Sequence, residues 1–197
     1  MNVQVQTIPS ALQSISQWSC WQLRQDASGK SSKPPLAIYA TREKAYIAKK
    51  DNPSHFGDFD KANAVLSQHD FDGLVFRLDE SKGVVVLDLD DCLDGQGNFT
   101  SDRTKSIFER FAGKTYIETS PSGQGLHIFL KGVKTTAQTK ARLDNGASLE
   151  FFAHNRTISV TGNSFQSECL CIANMQDDIK WIESTFFPAQ TSTQPQT

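Results

Sequence analysis

Apolar residues recur along the chain at two spacings, and the changes between them mark out the elements. Alternating or near-continuous apolar runs predict strands at 18–24, 74–78, 83–89, 115–119, 126–131, 148–153 and 156–161. Helical spacing appears at Phe59, Ala62 and Leu66 behind the capping residue Asp58, and at Ile107, Phe108 and Phe111 between Ser101 and the terminator Gly113. It returns over 177–187 with Ile179, Ile182 and Phe186 on one face, and a short helix is predicted at 8–16 with Ser10 near its start. Residues 26–29 form a turn, the prolines of 33–39 confine that segment to a sheet edge, and 41–56 carries no regular period.

Strands interleaved with a few helices give an α/β or α+β fold with a mixed central sheet and helices on one face. A single domain is expected over 8–187, followed by a Gln/Thr/Pro tail at 188–197 that is too polar to pack. The length of 197 residues, with thirteen Phe and three Trp, is enough for one sizeable core. No apolar run approaches a membrane span, and the polar start 1–6 has neither the basic nor the apolar region of a signal peptide, so a cytoplasmic protein without a membrane partner is expected. Cys20, Cys92, Cys169 and Cys171 lack the spacing of a zinc site and read as buried or idle thiols.

A net charge of −2 means that any nucleic acid must be met by a local patch. Lys30/Lys33, 42–50 and 131–142 are the candidate patches, and each also reads as an ordinary solvated face.

Three features carry chemistry. In 84–92, strand alternation puts Asp88 and Asp90 on one face and Leu87 and Leu89 on the other. Two carboxylates so placed repel unless a cation lies between them, and oxygen ligands suit Mg²⁺ or Mn²⁺; the bland alternative is a strand ending in a polar turn. In Ser120-Pro-Ser-Gly-Gln-Gly-Leu-His127, Gly123 and Gly125 permit backbone amides to converge on an anion, and His127 stands opposite the apolar face Leu126, Ile128 and Leu130. Taken alone, that loop is also an ordinary glycine turn beside a structural His. Lastly, Glu150 sits inside the apolar run 147–152, where it needs either a metal shared with Asp88 and Asp90 or a salt bridge, for which Arg156 is placed.

The order of these motifs resembles the primase-polymerase (prim-pol) domains of the archaeo-eukaryotic primase superfamily, especially those of phages and plasmids. The matching pieces are Leu87-Asp-Leu-Asp90, the 120–127 loop and Leu149-Glu150, with further likeness at 17–21, Lys33-Pro34, 73–76 and 156–162. The resemblance spans about 15–165 and implies an RRM-like catalytic core in the archaeo-eukaryotic primase fold. It implies that Asp88, Asp90 and Glu150 bind two divalent ions, and that His127, Ser120, Ser122 and the amides to Gly125 hold a nucleotide triphosphate. Lys33 and Arg156 would add positive charge near phosphates or template. The expected activity is template-directed nucleotidyl transfer, as DNA primase or polymerase, in replication of a plasmid, phage or other mobile element. Its partners would be single-stranded or primed DNA and NTP or dNTP. No GxxxxGK[ST] occurs in these residues, and the resemblance implies a helicase in the same system, in the same polypeptide or a neighbouring gene. Phe56 stands where many relatives have Trp, and Lys33 precedes an unusually long irregular segment. The same carboxylates would also serve a metal-dependent nuclease, or remain in a non-catalytic DNA-binding replication protein.

Overall fold

The computed structural model describes residues 3–166 and 168–188. The expected tail, beyond Pro188 itself, lies outside the described residues.

Among the described residues, ten strands and four α-helices form two packed sheets and a small hairpin. The larger sheet has the order β6-β7-β5-β9-β8, with β5 (Val84–Asp90) at its centre, flanked by β7 (Leu126–Lys131) and β9 (Ser148–Phe152). β6 (Ile117–Thr119) and β8 (Lys140–Arg142) form its edges. Every pairing between named strands is antiparallel, so the α/β class holds while the mixed strand directions expected from the sequence do not. The physical reason lies in how β5 is covered. A nearly continuous apolar strand is usual where both faces are buried, as in parallel sheets. Here an antiparallel strand meets the same condition because separate cores lie against its two faces.

On the first face, Val85, Leu87 and Leu89 pack with Ile128, Leu130, Leu149 and Phe151 under α3 (Asp102–Phe111) and α4 (Gln176–Phe186). α3 begins where the Ser101 hydroxyl accepts the Thr104 amide at 3.2 Å, and it buries Ile107, Phe108 and Phe111. Each fully buried side chain of this size contributes about 1.5–3 kcal/mol relative to exposure, so this face fixes the strand register.

On the second face, Val84, Val86 and Phe129 meet the smaller sheet, β1 (Trp18–Trp21), β4 (Gly73–Arg77) and β10 (Thr157–Val160) in the order β1-β4-β10. Trp18 anchors that core, edge-on to Phe59 and Phe76 with centroids 4.9 and 5.1 Å away. Phe59 comes from α2 (Phe59–His69), whose start is capped by Asp58 accepting the Lys61 amide at 2.8 Å. The cover stops after Val86. Asp88 and Asp90 on the same face are therefore only partly buried and border a cleft between the sheets.

Three expectations shift. The first α-helix is only Ser10–Gln13 (α1), because the chain turns at Ser14 to deliver Trp18 to the core. The strand expected at 18–24 breaks after Trp21, and Arg24–Gln25 (β2) pairs instead with Ser31–Ser32 (β3) in a separate hairpin. Edge strand β8 falls in 131–142, for which the sequence predicts a strand only as far as 131 and otherwise a basic patch. Cys20 and Cys92 are buried, with burial pushing both thiols up to about 12, whereas Cys171 is exposed and its sulfur lies 2.9 Å from that of Cys169. Among the described residues, no helix is long and apolar enough to cross a membrane.

Candidate active site

The antiparallel registers align one row of titratable side chains across all five strands of the larger sheet. Glu118 on β6 is opposite His127 on β7, which is opposite Asp88 on β5; Asp88 is opposite Glu150 on β9, and Glu150 is opposite Lys140 on β8. Cross-strand neighbours of opposite charge stabilise a sheet and like charges destabilise it. Along this row the like-charged neighbours are Asp88 and Glu150, and Asp90 joins them two residues along β5. Ligand oxygens of these three carboxylates all lie within 4.8 Å of one another.

The crowding of the three carboxylates is felt at Asp90. Burial, reinforced by the charges of Asp88 and Glu150, pushes Asp90 up to about 6. Glu150 is held by Lys140 Nζ and Arg156 Nη2, each at 2.8 Å. Both sequence-level options for Glu150 thus meet at one residue, since the salt bridge to Arg156 forms and the carboxylate still faces the two aspartates. Lys140 and Arg156 are 54% and 40% exposed, so each pair contributes on the order of 1 kcal/mol or less. Bonds that weak do not bar Glu150 from a divalent ion. Three hard oxygen donors gathered this closely fit Mg²⁺ or Mn²⁺.

The other half of the row is built differently. Glu118 is fully buried, yet every side of its carboxylate is met. It accepts from Tyr116 Oη at 2.8 Å and from the amides of Thr161 and Gly162 at 3.1 and 2.9 Å, and it lies 3.0 Å from His127 Nδ1. The other imidazole nitrogen, Nε2, lies 3.7 Å from Asp88 Oδ1. Burial opposes protonation of His127, but Asp88, Glu118 and Asp90 outweigh it and hold the ring above its usual 6.5.

These groups open into a cleft of about 320 Å³ lined by Asp88, Asp90 and His127, by Ser120 and Ser122 of the loop, and by Lys33 and Arg156. Lys50, Thr157 and Ser159 complete the polar wall. A larger cleft of about 710 Å³ at the start of α3 contains none of these residues.

No family model matches the chain. Over 174 residues, 88% of its length, the chain is 29% identical to a protein named DNA primase-polymerase from Nitratiruptor phage NrS-1. The match supports a phage-type prim-pol domain. The chain spans 22% of that relative's length.

Within the prim-pol-like site, the glycine loop departs from what the resemblance implies. Gly123 N–H donates to Ser120 O at 2.9 Å, Gln124 N–H to Ser122 Oγ at 3.3 Å, and Gly125 N–H to Ser120 Oγ at 3.2 Å. Those amides are committed inside the loop, and the cleft wall is made by Ser120, Pro121 and Ser122 rather than Gly123 and Gly125. The glycines serve the loop's shape. Gly123 has φ +77°, and a Cβ on Gly125 would sit 2.8 Å from Leu89 O, too close for any side chain.

The sequence does not single out Glu118, Thr157 and Ser159 as site residues, and it marks Lys50 only as part of the 42–50 basic patch. A signal for Glu118 existed, because it is a lone acid in an apolar strand, as Glu150 is. Lys50 lies in the segment without a period, and only the folded chain brings it to the cleft.

Proposed function

We propose that this chain carries out template-directed nucleotidyl transfer, as a DNA primase, a DNA polymerase or both, in the replication of a phage, plasmid or other mobile element. The observation that carries the reading is the convergence of the Asp88, Asp90 and Glu150 carboxylates within 4.8 Å of one another, beside a cleft lined by Asp88 and Asp90 together with Lys33, Lys50 and Arg156. The named phage relative supports the same class of activity.

In this reading Asp88, Asp90 and Glu150 hold two divalent ions, Mg²⁺ or Mn²⁺. Bound there, the ions activate the attacking 3′-hydroxyl and offset charge on the departing pyrophosphate. The remaining work belongs to the chain's own groups. His127, oriented by Glu118 and favoured toward its charged form by Asp88 and Glu118, would donate to a phosphate oxygen from Nε2. Ser120 and Ser122 offer hydroxyls to the same phosphates, while Lys33, Lys50 and Arg156 supply positive charge along the cleft. Arg156, bonded to Glu150 and also lining the cleft, would place its charge beside both the metal ligands and the phosphates. The partners are single-stranded or primed DNA and NTP or dNTP, in the host cytoplasm, with a helicase elsewhere in the system. Residues 8–187 act as one domain.

The deciding assay supplies labelled dNTP and rNTP separately, on primed and unprimed single-stranded DNA, with Mg²⁺ or Mn²⁺. Metal-dependent incorporation is expected. Degradation of the DNA without nucleotide would assign a nuclease instead, and a gel shift with neither reaction would assign a non-catalytic DNA-binding protein.

A further inference from the structure

The segment between β3 and α2 is irregular in sequence but firmly backed in the fold. Leu36, Ala37, Ile38, Ala40 and Ala48 are buried. Backbone bonds of 2.7–2.8 Å run from Leu36 N–H to Cys20 O, from Ala37 N–H to Tyr46 O, from Ala48 N–H to Pro35 O and from Ile38 N–H to His55 O. On this base stand two of the protein's three tyrosines, Tyr39 and Tyr46, 53% and 55% exposed. Their ring centroids are 5.9 Å apart, and the His55 ring lies 5.8 Å from Tyr39 on an edge. Ile47 is exposed beside them.

The charge of the segment is as distinctive as its rings. Residues 30–50 carry Lys30, Lys33, Arg42, Lys44, Lys49 and Lys50 against a single acid, Glu43, in a chain whose net charge is −2. Arg42 pairs with Asp70 at 3.5 Å, and among the described residues the five lysines form no ion pair within 4 Å. A purely solvated face explains lysines but not exposed, clustered rings. The segment is also continuous with the cleft, since Lys33 and Lys50 line both.

We propose that Tyr39, Tyr46 and His55, flanked by Lys44 and Lys49, form a stacking platform for single-stranded nucleic acid. Aromatic faces accept bases of any sequence, and surrounding cations follow the phosphates. Its identity as the path of the template into the cleft rests on the nucleotidyl-transfer reading; the binding itself does not.

The test is fluorescence anisotropy of a labelled oligo-dT with the full chain, in EDTA and without nucleotide, over a series of salt concentrations. Tyr39→Ala with Tyr46→Ala should weaken binding about a hundredfold at each salt, while the Trp replacements retain it. Lys44→Gln with Lys49→Gln should lower the salt dependence by a slope of about 1.4. Melting curves establish that these surface variants stay folded. If the wild type does not bind, or the alanine pair binds as tightly as the wild type, the platform is overturned and the rings belong to a protein contact. If the platform binds as expected but the wild type incorporates no nucleotide, the nucleotidyl-transfer reading fails and this inference stands.

Discussion

The two halves of the cross-strand row solve opposite problems with the same residue types. Glu118 is deeper than Glu150, yet it is satisfied by a hydroxyl, two backbone amides and the His127 ring. Glu150 meets two long, half-exposed cations, and Asp88 and Asp90 crowd beside it, with the His127 ring 3.7 Å from Asp88. A carboxylate whose bonds come from backbone amides and buried groups cannot be reassigned without disturbing the fold. One held by mobile Lys and Arg side chains can change partners at small cost. The difference separates a fixed frame, which orients His127, from a set of ligands left free to take a cation.

The comparison breaks first, and most severely, at Asp88. Asp88→Ala should cut nucleotide addition by about a thousandfold or more, since metal activation supplies several kcal/mol, while the metal-free protein stays folded, because relief of the repulsion from Asp90 and Glu150 offsets the lost attraction to His127. Extension and melting measured together check this, and unfolding would place Asp88 in the frame instead.

His127 joins the halves and should show an intermediate effect. His127→Ala should weaken nucleotide binding about ten- to a hundredfold, the range for a hydrogen bond to a charged group, without loss of metal. Nucleotide titration at saturating metal reads it, and an unchanged dissociation constant would make the ring purely structural.

Glu118→Gln sharpens the contrast from the frame side. It keeps the shape but presents an amide N–H₂ to donors from Thr161 and Gly162, so it should destabilise by about 1–3 kcal/mol. In a domain of this size that is about 2–4 °C of melting temperature per kcal/mol, with Mn²⁺ binding retained.

The smallest effect is a pH-dependent one at Asp90. Its carboxyl is raised in the folded state, from 3.8 to about 6, so the fold binds this proton more tightly than the unfolded chain does. At pH 7 the ionised group weakens the metal-free protein, and the penalty fades as pH falls through about 6 toward 4. Asp90→Asn should therefore melt above wild type at pH 7.5 without metal, by an amount that shrinks toward pH 4. A difference that stays constant across that range would remove Asp90 from the repelling cluster.

What the sequence made legible follows the same division. Alternation along a strand assigns a face, so Asp88 and Asp90 could be grouped from spacing, the order of motifs added His127 and Glu150 through the prim-pol resemblance, and the caps Asp58 and Ser101 announced their helices. Register between strands is not local information. That Asp88 stands between His127 and Glu150 rather than a pair further along depends on how Leu87, Ile128 and Phe151 fill the core beneath. β8 was illegible because it is a three-residue edge with two exposed side chains, and its Lys140 completes the row. In the loop, glycine spacing pointed to amides free for an anion, whereas the folded loop uses those amides to hold its own shape and presents Ser120 and Ser122.

The central claim is that Asp88, Asp90 and Glu150 are metal ligands rather than a polar strand end. Titration of Mn²⁺ followed by its electron paramagnetic resonance signal tests it most directly, on wild type, Asp88→Asn and Glu118→Gln. The account predicts that wild type and Glu118→Gln deplete the free-ion signal at protein concentration while Asp88→Asn does not. Equal depletion by wild type and Asp88→Asn, or none by wild type, would contradict it.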